Sequence, residues 1–566
     1  PYALRLLPLD QAPLLTDAQP VSGELVPGSA TQAHAFNAAA GERFYFDLQA
    51  LALQGGRLRV LTPHGDLLVD QGLNGDAGVF EATTAGRYTV LLEGARGNVD
   101  QRVAYRFALH RVQDTVLPLQ IGQPQALTPP WRGSGAAAGL DFGSHWHVAV
   151  PPSPALDARR TVSMEATVTV DSFAASYMPV LYLGRGDASY GPGRSWALYV
   201  TSGGALHLST SDGQDQYLTT ANGLVKAGVA TRIAATIDRV NGVMKLFVEG
   251  DEVASMVVRK ADMVSSPSRG LQIGRSDESW SGLAAFDGRI TDVRIWNVAR
   301  TPDEIGTSSG QPVDPATPGL VLSYGLHEGA GTAVADGGPL GLHGEVVDGL
   351  AAVPGAVAGR ISQPGQKATY TFEVTTPRTV VMDVLGDSGF LWSLDGPRGR
   401  LVDQRSLRNT DANDIGGLDG WSADPGASQR VVFTLVPGSY SLTIDPPGDA
   451  VGDFAFRLLD LASGLQPQPV QTGQDLTGTL AWGAMTQAHA IDVTAGDRLA
   501  LDSLGVPSGH NDLRWRLIAP TGEQVYSASF ASDSGTLQLQ QTGRYVLLVE
   551  GGRADQTDLH ADQSGG

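Results

Sequence analysis

The sequence predicts an all-β chain of tandem β-sandwich, jelly-roll domains, and three observations carry that reading. At 566 residues the chain is too long for a single hydrophobic core. Apolar residues alternate with polar ones in short runs, punctuated by turn formers that include 71 glycines and 33 prolines. Several of those runs recur far apart, so one fold is used more than once.

Taken in chain order, Tyr2-Ala3-Leu4-Arg5-Leu6-Leu7 reads as a lone strand, the last strand of a preceding repeat covering 1–10. Its like closes the next unit as Tyr105-Arg106-Phe107-Ala108-Leu109, and a later one as Phe454-Ala455-Phe456-Arg457-Leu458. Residues 11–115 form a first complete repeat. Its Thr31-Gln32-Ala33-His34-Ala35 returns as Thr486-Gln487-Ala488-His489-Ala490, and Ala40-Gly41-Glu42-Arg43 as Ala495-Gly496-Asp497-Arg498. Gly86-Arg87-Tyr88 with Glu93-Gly94 returns as Gly543-Arg544-Tyr545 with Glu550-Gly551. Residues 463–566 are therefore a further repeat, incomplete because no closing strand follows. A diverged repeat at 351–462 carries Gly365-Gln366-Lys367-Ala368-Thr369-Tyr370-Thr371-Phe372 and Gly438-Ser439-Tyr440 in the matching places. Both ends are expected to be cut within or beside repeats of a longer protein. The Ala-Gly-acid-Arg entry, the Pro-x-Gly turns (Pro63-His64-Gly65, Pro520-Thr521-Gly522) and the Gly-Arg-Tyr close resemble bacterial pre-peptidase C-terminal domains. That resemblance implies accessory modules of secreted proteins.

Residues 116–350 read differently. Val162-Ser163-Met164-Glu165-Ala166-Thr167-Val168-Thr169-Val170 is a long alternating strand, and Phe286-Asp287-Gly288-Arg289-Ile290-Thr291-Asp292-Val293-Arg294-Ile295-Trp296-Asn297 precedes a helix start at Arg300-Thr301-Pro302-Asp303-Glu304-Ile305. With Tyr324, Glu328-Gly329 and Gly331-Thr332 behind it, this order resembles the laminin-G-like, concanavalin-A-like jelly roll of bacterial surface and secreted proteins. Where that family carries an acidic, glycine-rich loop, this chain has Gly143-Ser144-His145-Trp146-His147. Pro118-Leu119-Gln120-Ile121-Gly122-Gln123 also matches Pro469-Val470-Gln471-Thr472-Gly473-Gln474, the lead-in to the last repeat. Two topologies follow. Either the jelly roll is inserted in the 351–462 repeat, whose first strand then lies near 117–128, or the chain is linear and Val353 to Ile361 supplies that strand.

Composition excludes several classes of function. A net charge of −20 with only four lysines among 39 basic residues leaves no basic face for a phosphate backbone, so no nucleic-acid partner is expected. The absence of cysteine removes thiolate catalysis, disulfides and cysteine-bound metals. No run of 18 apolar residues occurs, so no membrane-spanning helix is expected. Glu165 and Asp171 sit at opposite ends of one strand, ~20 Å apart at ~3.3 Å per residue, too far for the paired carboxylates of a retaining glycosidase. No nucleophile elbow or paired-histidine zinc motif is present. The chain is thus expected to be no enzyme.

What remains is binding. Calcium is the cofactor the acidic loops allow, with Asp187, Asp212, Asp215 and Asp277 in the jelly roll and Asp411, Asn413 and Asp414 in the diverged repeat as candidate ligands. Trp280, Tyr190 and Trp146 are the candidates for stacking on a sugar ring or partner surface, with Tyr177 and Tyr217 nearby; Trp196 alternates with Leu198 and is assigned to the core. His34 and His489 are read as structural strand residues. The expected partner is a glycan or a surface protein. The expected setting is extracellular, in a bacterial adhesin-like protein or, alternatively, as accessory domains of a secreted peptidase or glycanase.

Overall fold

The structure, a computed structural model, describes all residues except 1–3, 52–54, 124–128, 130, 133–138, 144, 174, 186–192, 277, 279–282, 309–310, 352, 387–388, 408–409, 412–431, 449, 462–467, 479, 481–483, 506–512 and 552–566. It is all-β: strands and turns carry three related sandwiches and one larger jelly roll.

In the first sandwich eight strands, β1 (Val21–Leu25), β2 (Thr31–Ala38), β3 (Arg43–Leu51), β4 (Gly56–Leu61), β5 (Leu67–Leu73), β6 (Gly78–Glu81), β7 (Gly86–Glu93) and β8 (Val103–Val112), form two sheets ordered β1-β8-β3-β6 and β2-β7-β4-β5. The period-two pattern decides which side faces in: Tyr88, Val90 and Leu92 are buried against Phe36, Phe44 and Phe46, while Thr89 and Leu91 look out. Gly-x-Tyr marks one local device. Gly86 has φ +147°, and a Cβ there would lie 2.7 Å from the Pro63 ring. The Tyr88 hydroxyl then donates to the Thr84 carbonyl at 2.8 Å. Gly438 (φ +141°) against Pro397, with Tyr440 donating to Val436, repeats it in the diverged sandwich. Gly543 (φ +142°) against Pro520, with Tyr545 accepting from the Gln541 amide, repeats it in the last. Only glycine combines that backbone angle with so close a neighbour.

The diverged sandwich has the same eight strands in the same two orders, from Val357–Ile361 to Gly452–Asp460. One more strand joins it. β9 (Thr115–Pro118) pairs in parallel with Ala368–Thr371, and Leu119 and Ile121 enter its core. The other sandwiches make the same parallel lead-in, Leu14 beside Ala35 and Gln468–Pro469 beside His489–Ala490. Between lead-in and next strand the first sandwich spends only Thr16–Pro20. The diverged one spends 122–356, which contains the whole jelly roll, and Val357–Ile361 then pairs with Gly452–Phe456. The diverged sandwich is therefore a host, with strands on both sides of a guest. At the other end of the chain, Leu4 to Pro8 forms no strand. A strand needs a neighbour, and among the described residues none is offered to it.

The guest packs two eight-stranded sheets face to face around one core that includes Trp196, Leu198, Ile290 and Val293. Its short helix Pro302–Ser308 opens on a reciprocal cap: the Glu304 amide donates to Thr301 Oγ1 at 3.3 Å and the Thr301 amide to Glu304 Oε2 at 2.7 Å.

Two ionic junctions, the first half-buried and the second buried, fix the units. Arg360 of the host pairs with host Asp453 (3.0 Å) and with Asp287 (3.4 Å), Asp141 (3.6 Å) and Asp171 of the guest. Between host and last sandwich, Val381, Val432 and Leu459 pack on Ile518, Val546 and Leu548. There Arg457 pairs with Asp383 at 2.5 Å and donates to the Thr486 carbonyl, while Arg516 pairs with Glu550 at 3.2 Å.

Candidate functional site

One sheet of the guest carries aromatic and charged side chains on its outer face. In Tyr177–Gly184, Arg194–Thr201, Leu206–Ser211 and Asp215–Thr219, alternation sends Met178, Trp196, Leu198, Val200, Leu206, Leu208 and Leu218 into the core. The intervening positions turn Tyr177, Tyr182, Tyr199, His207, Ser209 and Tyr217 outward. β-Bulges at Pro179/Leu181 and Leu183/Gly184 re-aim the first of these strands, which is paired on both sides within the sheet.

The rings form a step. Tyr217 stacks on His207 at 5.6 Å and 27°, Tyr177 meets His207 edge-on at 4.9 Å, and Tyr199 lies 5.8 Å from His207. His207 Nδ1 is 2.8 Å from Thr219 Oγ1. Burial, and then the nearby Arg194, hold the His207 imidazole down to about 4, so it is neutral at physiological pH. Beside the rings, Arg194 Nη1 donates to both oxygens of Glu278 (2.7 and 2.8 Å), its Nε to Ser209 Oγ (2.6 Å), and its Nη2 reaches Asp215 at 3.3 Å. Tyr199 adds a hydroxyl 3.5 Å from Glu278. Tyr217 keeps 62% of its surface exposed, while Tyr199 and Tyr182 are buried beneath. The result is one presented ring on a rigid aromatic base, flanked by fixed hydrogen-bonding groups.

The residues singled out in the sequence divide sharply. Tyr177 and Tyr217 come together on this face, and Asp215 lies at its rim against Arg194. Asp187, Tyr190, Asp277 and Trp280 lie outside the described residues, as do Asn413 and Asp414. Asp212 is no open cation ligand. Arg259 takes both its oxygens (2.7 Å each) and Arg239 one of them (3.1 Å), which holds its carboxyl down to about 2. Asp411 is buried at the junction of host and last sandwich, accepts from the Val384 amide at 2.6 Å, and is pushed up by burial and then by Asp383 and Glu550. Trp146 presents no ring to a ligand: its strand is held by Gly344–Asp348, and its ring is buried in the guest's core. His145 and His147 flank it and are themselves buried, which lowers both, His147 to about 3. Among the described residues no three histidine, aspartate or glutamate side chains group as a metal site.

Sequence reading missed His207, Arg194, Tyr199 and Glu278. The first three lie in the polar phase of alternating runs, such as Leu206-His207-Leu208-Ser209, that the sequence reading did not single out. Glu278 lies outside any strand. A groove of ≈ 840 Å³ lies elsewhere, along Pro118–Gln123 of the host, but Tyr440, which lines it, spends its hydroxyl on the host's own Val436.

The family model for the concanavalin A-like lectin/glucanases superfamily matches residues 142–306, inside the guest. The guest is similar to that superfamily. No curated protein matches the chain. Among solved structures, a putative carbohydrate-binding protein from Bacteroides ovatus is 15% identical, covers 59% of this chain and 94% of its own, and has a TM-score of 0.30. The CBM40 of the Ruminococcus gnavus IT-sialidase bound to alpha2,3 sialyllactose is 16% identical over 30% of this chain and 96% of its own, with a TM-score of 0.25. Domain 4 of AbnA, an extracellular arabinanase from Geobacillus stearothermophilus, in complex with arabinotriose, is 16% identical over 34% of this chain and 86% of its own, with a TM-score of 0.25.

Proposed function

We propose that the guest binds a glycan on its Tyr177–Tyr217 face, and that the chain is a non-catalytic segment of an extracellular bacterial adhesin-like protein. In this reading the three sandwiches, modules like pre-peptidase C-terminal domains, position the guest. The observation that carries it is Tyr217, an exposed ring stacked on a neutral, hydrogen-bonded histidine. A sugar presents an apolar C–H face to such a ring, and its hydroxyls find Arg194, Asp215 and Thr219 at the edges.

A glycan array probed with the purified chain, in calcium and in chelator, tests this directly. Binding to at least one glycan is expected in both conditions, and Tyr217→Ala should weaken it about tenfold (~1.4 kcal/mol) with no change in Tm. No glycan bound by the unmodified chain, or unchanged binding by the variant, would overturn the assignment. The same glycans incubated with the chain should be recovered uncleaved.

A further inference from the structure

The sheet that carries Tyr217 holds a second concavity towards its other edge, and one row of the ladder builds its floor. Tyr182 lies opposite Gln272, Gln272 opposite Ala149, Ala149 opposite Glu345, and Glu345 opposite Ala333. Residues facing one another across a ladder point to the same side, and Val148, Ile273 and Val346 beside them enter the core, so this row lies on the outer face. Two long polar side chains, Gln272 and Glu345, thus stand on either side of the Ala149 methyl. The strand Trp146–Ala149 stops there and leaves through Pro151 and Pro152, both exposed, and a groove of ≈ 650 Å³ opens between its neighbours. That volume falls within the roughly 300–1,000 Å³ of small-ligand clefts. The frame is fixed. The Val150 amide donates to the Leu271 carbonyl at 2.9 Å, and a Cβ on Gly270 would lie 2.0 Å from the Val150 carbonyl oxygen. Five strand spacings separate Ala149 from Tyr217 in the sheet order, about 24 Å at ~4.8 Å per strand.

The polar groups of this groove are only partly spent within the protein. Gln272 Oε1 is buried and, among the described residues, receives no donor. Buried acceptors in folded proteins are nearly always paired, so one that borders a groove points to a donor from outside the chain. Glu345 is exposed and, among the described residues, has no ion pair or hydrogen bond, whereas strand carboxylates such as Glu93 and Glu252 are held by Arg59 and Lys245. His343 accepts the Asp336 amide on Nδ1 at 3.1 Å, so its ring carries the proton on Nε2, as a donor. Arg269 Nε donates to the Arg185 carbonyl at 3.2 Å, which anchors its guanidinium. Of the residues lining the groove, Arg269 and Glu345 alone carry a formal charge, and their signs cancel.

We propose that this groove is a second saccharide site, one for a neutral sugar unit. A sugar hydroxyl is donor and acceptor at once. As a donor it satisfies Gln272 Oε1 and the Glu345 carboxylate, and as an acceptor it takes the Nε2–H of His343. The apolar C–H face of the ring lies over Pro151, Pro152 and Ala149. An anionic sugar meets Glu345 and an ammonium ligand meets Arg269, each a like charge at close range; a neutral sugar meets neither. The site extends the reading of the guest as a glycan-binding domain but does not depend on Tyr217.

An array of neutral, sialylated and sulfated glycans, probed with the Tyr217→Ala chain, isolates the groove. At least one neutral glycan should still bind. Titrated with that glycan, the Tyr217→Ala chain should lose about tenfold in affinity when Glu345→Ala or Gln272→Met is added. Glu345 is exposed, so its loss does not threaten the fold. Gln272→Met keeps the side chain's length and removes the unpaired acceptor, so Tm should hold or rise; a purely structural role for the amide predicts a lower Tm with affinity unchanged. No neutral glycan bound by the Tyr217→Ala chain, binding of charged glycans alone, or an affinity unmoved by either added substitution overturns the proposal. The two sites fail separately. Binding abolished by Tyr217→Ala alone removes the groove and leaves the ring, while binding indifferent to Tyr217→Ala but weakened by Glu345→Ala removes the ring and leaves the groove.

Discussion

Two guanidinium groups close on the Asp212 carboxylate, and one of them, Arg239, is itself fully buried. The hydrogen bond from Arg259, and then those from the Gln214 amide and Arg239, lower this carboxyl to about 2. A depressed carboxylate contributes stability that is present above its unfolded value near 4 and is lost as pH falls through about 2. Asp212→Asn should therefore cost roughly 2 kcal/mol at pH 7, and chemical denaturation repeated at lower pH should show the deficit closing between about pH 4 and 2. In sequence, Asp212-Gly213-Gln214-Asp215 looks like an acidic turn open to a cation. Its arginines come from positions 239 and 259, and local patterning carries no information about pairing over that distance. A buried polar position can be legible as a position and illegible as chemistry in the same way. His34 donates to or accepts from Tyr105 at 3.3 Å, while in the host Tyr370 holds the place of His34 and Phe454 that of Tyr105. Period two places these residues in the core. It does not say which of a facing pair brings the polar atom.

At the scale of strands and their junctions, alternation and turn chemistry made most elements readable. The Gly-x-Tyr device, the long strand Thr161–Val170 and the capped helix at Pro302–Ser308 stand where their sequence signals lie. The junction between guest and host left no such trace, because its five members are single residues scattered from Asp141 to Asp453. Gly143 shows how closely it is built: a Cβ there would lie 2.0 Å from Asp453 Oδ2. Arg360 is the cation common to four aspartates. Arg360→Met should destabilise the chain by about 3–5 kcal/mol at neutral pH, since it removes the cation that the four carboxylates share. Burial, and then Asp453, already raise the Asp287 carboxyl. A group whose folded value lies above its unfolded one gains stability from protonation, so thermal melts of the variant should recover part of the loss as pH is lowered through the carboxylate range. A loss independent of pH would mean that Arg360 acts through packing alone.

For the whole molecule, the repeats announced three related sandwiches, and the lead-in motif at Pro118 pointed to a strand of the host before the guest begins. The sequence left two topologies open because Val353 to Ile361 also reads as a strand. Both strands exist, on different sheets of the same sandwich, and only pairing could reveal that. The arrangement makes the guest removable. Replacing 122–356 with a copy of Thr16–Pro20 should leave the host folded, with a cooperative melt and the protected amides of Ala368–Val374 intact by hydrogen exchange. Deleting Thr115–Ile121 instead should abolish that protection. The same topology also sets how tension travels. A pull applied at the two ends of the chain enters the host along β9, whose parallel bonds to Ala368–Thr371 are loaded in shear. It can reach the guest only after β9 or Val357–Ile361 has torn free. The guest is thus mechanically shielded by the host that carries it, and a chain under extension unravels the host before load reaches the guest.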